Sequence, residues 1–206
     1  MPVLDYKPTR SQLIQVRKTR ATAERGHRLL KLKRDALIVE FFKVLGKARN
    51  IRSDIAGKYK LAEERLAIAS AVEGLIGVHS AAYALIEQPS IELSTRNVMG
   101  IVVPKIDGKS VRKTIAERGY GVIETSPRID EAAEAYEDLV ENIIRAAEVE
   151  TTMRRLIDEI EKVKRRVNAL ESRVIPDLNA TEAFIRFRLE EMERDNFMRL
   201  KRFKGA

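Results

Sequence analysis

The sequence predicts a mainly α protein: a long antiparallel two-stranded coiled-coil hairpin with a small β-containing insert at its turn end. Three observations predict it. Charged residues make up 34% of the 206, aromatics only 5% and tryptophan is absent, while Ala, Glu, Lys, Leu and Arg dominate, which is the usage of long helices. No proline occurs between Pro8 and Pro89, so nothing in that stretch forbids one helix. In both halves of the chain apolar residues recur in steps of three and four, the seam of a coiled coil.

Each element has its own signals. After a tail of residues 1–8, Thr9 and Gln12 have the spacing of a capping box, so a first arm is expected over 9–87. At 1.5 Å per residue it would be roughly 120 Å long. Its seam reads Leu37, Phe41, Val44, Ala48, Ile51 and Ile55, then Tyr59, Ala62, Leu66 and Ala69, with two consecutive steps of four that mark a stutter. Gly26, Gly46, Gly57, Gly74 and Gly77 each weaken a helix by roughly 1 kcal/mol against alanine, so a packed partner is expected to hold the arm straight. The insert, 88–126, changes character: Pro89, Gly100, Pro104, Gly108, Gly119 and Gly121 punctuate strand-like segments at Ile91–Thr95, Met99–Val103 and Gly121–Thr125, and Arg112–Arg118 has room for one or two helical turns. A second arm over 127–203 opens with Ser126 as N-cap and Pro127 as first helical residue, followed by Asp130, Glu131 and Glu134 where the helix dipole favours acids. Its seam is Met153, Leu156, Ile160, Val163, Val167, Leu170 and Val174; Pro176 then predicts a kink or short break near 174–177, and residues 204–206 form a tail.

Two arms of nearly equal length around a 39-residue insert can pair only antiparallel, because an insert joining parallel arms would have to run almost fully extended at about 3.5 Å per residue. A register results that sets Leu37 against Val174, Phe41 against Leu170, Val44 against Val167, Ala48 against Val163, Ile51 against Ile160 and Ile55 against Leu156; a slip by one heptad satisfies the apolar pattern equally. In every such register the two termini share one end. That matters for charge. The net charge of +8 is matched by the surplus in residues 1–34, where Lys7, Arg10, Arg17, Lys18, Arg20, Arg25, Arg28, Lys31, Lys33 and Arg34 oppose Asp5 and Glu24, and Arg199, Lys201, Arg202 and Lys204 close the chain. Both basic clusters are therefore expected at one tip.

Function classes narrow accordingly. The absence of cysteine excludes disulfides, thiolate nucleophiles and Cys-ligated metals. No stretch reads as roughly 20 uncharged apolar residues, nor is there a signal pattern, so a cytoplasmic chain without direct membrane insertion is expected. Gly108-Lys109-Ser110 ends like a P-loop, but Val103 stands where the first glycine belongs and no long helix comes after it, so a polar turn is expected. Asn179-Ala180-Thr181 matches a glycosylation acceptor by chance. His27 and His79 have no metal-spaced partners; no metal, cofactor or catalytic residue is expected. His27 falls on the seam with Arg20 and Arg34, and two readings stand: long side chains snorkelling outward, or polar residues fixing register against acids such as Glu190 and Asp177. Glu190, Glu191 and Glu193 read as salt-bridge partners or a solvated face. From Phe184 to Phe203 apolar residues spread around the whole helix, so more than one face needs cover and another protein is expected to supply it. A basic coiled-coil adaptor or a nucleic-acid-binding protein is the competing class; scarce aromatics for stacking, and apolar residues among the charges, argue against nucleic acid.

The motifs resemble a known family. Arg173-Val174-Ile175-Pro176-Asp177-Leu178, then Thr181, Phe184-Ile185, Leu189-Glu190-Glu191-Met192-Glu193-Arg194 and Arg199-Leu200-Lys201, resemble the C-terminal signature of the D subunit of archaeal-type and vacuolar-type rotary ATPases. Pro8-Thr9-Arg10-Ser11, Gly26-His27, Leu29-Leu30-Lys31-Leu32-Lys33-Arg34-Asp35, and Val98-Met99-Gly100-Ile101 with Pro104 are similar to its other segments. The resemblance implies a non-catalytic central-stalk rotor shaft that carries torque between a nucleotide-processing ring and a membrane ion rotor. Its implied partners are the ring's catalytic and non-catalytic nucleotide-binding subunits, a small central-stalk subunit (F) and a funnel-shaped subunit on the membrane rotor. The implied ring-facing tip comprises Thr9, Arg10, Leu13, Arg17 and Lys18 on one arm, facing Met192, Arg199, Leu200 and Lys201 on the other. The location it implies is cytoplasmic, peripheral to the membrane.

Overall fold

Pro127 opens the longest uninterrupted helix of the C-terminal half, and the elements before it obey the same local logic. In the computed structural model, which describes residues 7–84, 91–108, 111–114, 117–121 and 125–205, the elements run α1 (Arg10–Tyr83), β1 (Ile91–Val98), β2 (Ile101–Gly108), α2 (Pro127–Ala169), a π-helical turn (Leu170–Val174) and α3 (Ile175–Lys204). The chain is mainly helical with one two-stranded antiparallel sheet. Thr9 caps α1, its Oγ1 accepting from the Gln12 amide at 3.2 Å, and Ser126 caps α2, its Oγ accepting from the Arg128 amide at 3.2 Å. The described residues divide into two compact units, one from 7–38 with 159–205 and one from within 39–158.

In the first unit, α1 and the C-terminal helices run antiparallel: Arg10 pairs with Glu193, Arg17 with Glu182, His27 with Glu171 and Lys33 with Glu159. These pairs overturn the expected register. Lys33 beside Glu159 leaves Leu37 far from Val174, and Arg17 faces Glu182 where that register placed Arg194, a displacement of more than one heptad. The cause is the self-similarity of the seam: slipping by a multiple of seven keeps apolar on apolar, so only polar seam residues distinguish the registers. Leu37, Val163 and Val167 are buried, Ile160 and Leu170 half-buried. Val174, expected in the seam, is 39% exposed. The π turn explains it. An i→i+5 turn adds one residue to the helix and rotates the residues after it, so the buried line continues through Leu178, Thr181, Glu182 and Ile185. Pro176 sits in the first turn of α3, where its missing amide is tolerated, so the expected break is a π turn with the helix continuing through it.

In the second unit, Ala62, Ala69, Leu139 and Leu156 are buried, and Phe41, Val44, Ala48, Ile51, Ile55 and Met153 are half-buried. Ile51 and Ile55 share a cavity with Ala146, Val149 and Met153, so Ile55 lies lower on α2 than the expected Leu156. Tyr59, expected in the seam, is 54% exposed. The larger correction concerns straightness. Gly74 adopts φ 77°, ψ 160°, so α1 is two helical segments joined at one glycine. The Glu73 carboxylate accepts from the Ser126 amide at 2.8 Å. Ala69 and Ala81 belong to one cluster around Ile129 and Ala132, with Val78 and Tyr120 against it. In an unbroken helix Ala69 and Ala81 would be about 18 Å apart; the segment after Gly74 therefore folds back on the one before.

The stretch 66–83 includes Glu73 as its sole Asp, Glu, Lys or Arg, and α1 holds a window apolar and long enough, by length and composition, to cross a membrane. This corrects the reading that no stretch approaches that character. Its geometry is nevertheless an elbow stitched to a second helix by Glu73, and a helix break needs protein or water to satisfy its backbone groups.

The hairpin is clearer than its sequence suggested. Val98 pairs with Ile101 and Ile91 with Gly108, so Met99 and Gly100 form the turn rather than the start of a strand. Both have positive φ, 53° and 86°, as a two-residue I′ turn requires, and Asn97 Oδ1 accepts from the Gly100 amide at 2.8 Å. The outer edge of β2 is covered by α2: Arg155 donates to the Val102 carbonyl and the Ile106 amide donates to Glu148. Residues 111–114 are not helical. The expected strand at Gly121–Thr125 and the Lys109-Ser110 half of the P-loop-like string lie outside the described residues, apart from Gly121 and Thr125, which are not in a strand.

Candidate functional site

The first unit holds both basic clusters, and its chemistry begins with one carboxylate. Glu182 is almost buried, its side chain 11% exposed, and it accepts from Arg17 Nε at 2.9 Å and from Arg20 Nη1 at 2.7 Å. Both carboxylate oxygens are thus engaged by charge-assisted bonds, which are shorter and stronger than neutral ones. Below the clamp, Val16, Leu178 and Ile185 form a buried cluster, with Leu13, Ala23 and Leu189 against it. Arg20 also meets Glu24 at 3.5 Å, and His27 Nε2 lies 3.5 Å from Glu171. Of the polar seam residues, Arg20 meets an acid on the facing helix, Glu182 and not Glu190 or Asp177, while His27 Nε2 lies near Glu171 without a hydrogen bond to it. Arg34 does not join them; it pairs with its neighbour Asp35. Sequence reading missed Glu182 because its signal, a lone acid in step with Leu178 and Ile185, is indistinguishable from a solvated glutamate until the register is known.

Among the expected tip residues, the structure brings some together and not others. Thr9 caps the helix, Leu13 packs on the Val16 cluster, and Arg10 Nη2 reaches Glu193 at 2.6 Å, one residue from Met192. Lys18 is exposed. Arg199, Leu200 and Lys201 do not face Arg10, because α1 begins level with Glu193 and α3 runs on to Lys204. Every residue of Arg194–Lys204 is exposed. Along that bare stretch Phe197 is 68% exposed, Leu200 67% and Phe203 84%, interleaved with Arg194, Arg199, Lys201, Arg202 and Lys204. Glu191 pairs with Arg188, and Glu193 with Arg10, as expected of salt-bridge material.

The insert contributes a second polar centre. Arg118, 6% exposed, is held by Asp130 at 3.0 Å and by Glu137 at 3.1 Å. Burial, the largest influence, works to lower its pKa, but the bonds to Glu137, Tyr120 and Asp130 outweigh it and hold the guanidinium above its ordinary range. Burial, then the hydrogen bond to Asp130, pushes the Tyr120 hydroxyl up to about 12 against opposition from Arg118; that hydroxyl donates to Asp130 at 2.6 Å. This network fixes the 117–121 loop to α2 and is structural in character.

Among the described residues no group of three His, Asp or Glu side chains is placed to hold a metal ion. A paired helical unit whose terminal helix projects bare apolar and basic side chains defines a class: a docking component of a larger assembly. The comparisons identify the assembly's family. The sequence profile of the ATP synthase D subunit matches residues 12–205. The chain is 58% identical over 201 residues to the D subunit of the A-type ATP synthase of Methanosarcina acetivorans, covering 98% of this chain and 96% of that one. It is 53% identical over 205 residues to that of Methanoregula boonei, covering 100% and 98%, and 48% identical over 201 residues to that of Archaeoglobus fulgidus, covering 97% and 96%. The chain belongs to the ATP synthase D-subunit family.

Proposed function

We propose that this chain is the central-stalk rotor shaft of an archaeal-type rotary ATP synthase, without catalytic groups of its own, and that the bare end of α3 turns inside the nucleotide-binding ring. The observation that carries the reading is the exposed run Arg194–Lys204, whose apolar and cationic side chains project beyond the first turn of α1. A helix apolar on several faces needs cover on several faces, and a ring of subunits around it supplies that. The assembly proposed around it has catalytic and non-catalytic ring subunits at the tip, a small stalk subunit and a funnel-shaped subunit near the hairpin insert, and a cytoplasmic position peripheral to the membrane; membership of the D-subunit family supports this reading. An off-axis shaft presents a different surface to each ring site as it turns, and only such differential contact shifts a site's conformational equilibrium. The Glu182 clamp suits this role because it ties the two helices together just below the projecting stretch.

Affinity purification of the full chain from its native cells tests the proposal. Recovery of a stoichiometric nucleotide-binding hexamer is expected. Salt-sensitive retention on duplex DNA, without such a hexamer, would favour the nucleic-acid-binding class instead.

A further inference from the structure

We infer that the chain, outside any larger assembly, pairs with a second copy of itself through the open edge of β1, the two strands running antiparallel about a two-fold axis at Ser94. In the hairpin, hydrogen bonds alternate from Val98 and Ile101, the pair that closes the two-residue turn. Val98, Arg96, Ser94 and Glu92 therefore bond inward to β2, while Asn97, Thr95, Leu93 and Ile91 turn their amides and carbonyls to the outer edge. On β2 the residues that turn outward include Val102, Pro104 and Ile106, and that edge is closed. The Val102 carbonyl accepts from Arg155, Pro104 has no amide hydrogen, and the Ile106 amide donates to Glu148. The β1 edge has no such cover: none of its four outward backbone positions is hydrogen-bonded among the described residues, and every residue from Ile91 to Asn97 is exposed.

An open edge fixes the kind of partner, because only another extended strand matches its alternating donors and acceptors. The side chains then select the strand. Antiparallel pairing sets outward residues against outward residues, and the register that engages all four places Leu93 against Thr95 and Ile91 against Asn97 of the second copy. In that register Ser94 meets Ser94 on the axis. Glu92 faces Arg96 twice, at the closely spaced non-hydrogen-bonded positions where side chains lie nearest. Both residues are exposed and enter no ion pair among the described residues. The strand is thus complementary to itself in backbone and in charge, as a two-fold contact between identical surfaces requires. One strand pair buries less than the roughly 1,200 Å² of a stable interface, so the association is weak and concentration-dependent. This inference concerns the free chain and does not depend on the rotor reading, so either can fail alone.

Analytical ultracentrifugation of the full-length chain, from low micromolar to hundreds of micromolar, tests the pairing, and a monomer that converts to a dimer as concentration rises is expected. Thr95→Pro is expected to abolish the dimer: it removes an outward amide from each strand and keeps the inward bonds to β2, and proline is tolerated on a strand edge. Glu92→Arg sets like charges opposite each other, and so does Arg96→Glu. Each is expected to weaken the association about tenfold, and an equimolar mixture of the two variants is expected to associate as well as the original chain, because every charge then faces its opposite. The chain lacks cysteine, so Ser94→Cys supplies a sole thiol that is expected to form a disulfide between copies and to lose it when Thr95→Pro is added. A chain that stays monomeric at every concentration overturns the pairing, even where the edge is then found to take a strand of another protein. A dimer indifferent to Thr95→Pro and to the charge exchange overturns it as well, and places the contact elsewhere, as on the bare end of α3.

Discussion

Replacing Glu182 with alanine removes the acceptor that Arg17 and Arg20 share. The carboxylate is 11% exposed, whereas the side chains of Arg17 and Arg20 are 50% and 37% exposed. The loss therefore falls between the two usual limits. Charge-assisted hydrogen bonds contribute about 1.5–3 kcal/mol each when the partner stays buried, while exposed ion pairs contribute about 0–1 kcal/mol. Two bonds disappear, both guanidinium groups regain part of their hydration, and a small cavity opens beside Leu178 and Ile185. The expected net loss is about 2–3 kcal/mol, and Glu182→Gln, which keeps one acceptor oxygen, is expected to lose about half of that. Urea unfolding monitored by circular dichroism at 222 nm measures both. Double-mutant cycles with Arg17→Ala and Arg20→Ala should each give a coupling energy of about 0.5–2 kcal/mol. A loss below about 0.5 kcal/mol for Glu182→Ala, with no coupling to either arginine, would show that the clamp behaves as an ordinary surface pair and refute the reasoning.

Three further outcomes are expected. A crosslinker of short reach should join cysteines at Arg17 and Glu182 within one chain and fail to join cysteines at Arg17 and Arg194, the pair that the register expected from the sequence sets opposite; efficient joining of the second pair would restore that register. Leu156→Ala, at a fully buried position, should lose about 2–5 kcal/mol, whereas Val174→Ala should stay within about 0.5 kcal/mol, because the π turn has rotated Val174 out of the seam; equal losses in urea unfolding would contradict that rotation. Tyr120 has its pKa raised to about 12, so the unfolded phenol ionises from about pH 10 while the folded one keeps its proton to about 12. The stability this hydroxyl contributes is present below pH 10 and is lost as pH rises from 10 to 12, and absorbance titration at 295 nm should lose its latest-titrating phenol in Tyr120→Phe, while Tyr136, which burial also pushes up, remains.

The fold class was legible because it rests on composition, long proline-free runs and seam spacing, which do not require the register. Thr9, Ser126 and Pro127 marked helix starts for the same reason: caps are local. Register was not legible. Leu37, Val163 and Val167 satisfy a seam in any heptad slip, and the residue that discriminates, Glu182, shows its role only when Arg17 and Arg20 are seen across from it. Val174 was misplaced because a π turn leaves no period of its own, only a phase change between the line ending at Leu170 and the line resuming at Leu178. Gly74 was read as a weak point that packing would straighten. Its helix-forming neighbours on both sides supported that reading, and the opposing signal is tertiary: Val78 and Ala81 find Ile129 and Ala132 when the arm folds back. Of the tip, the capping Thr9 and the packed Leu13 follow from the local pattern, whereas the placement of Arg199, Leu200 and Lys201 beyond Arg10 depends on the register and was lost with it.

The rotor reading depends most on the bare end of α3. Reconstituting the nucleotide-binding ring with the full chain, and with a chain lacking residues 195–206, while recording rotation and ATP hydrolysis on the same particles, tests it directly. Because a bearing works through many weak and replaceable contacts, the shortened shaft is expected to assemble less tightly and to deliver less torque while hydrolysis persists. Assembly, torque and hydrolysis all at the level of the full chain would mean that Arg194–Lys204 does not face the ring, and would contradict the account.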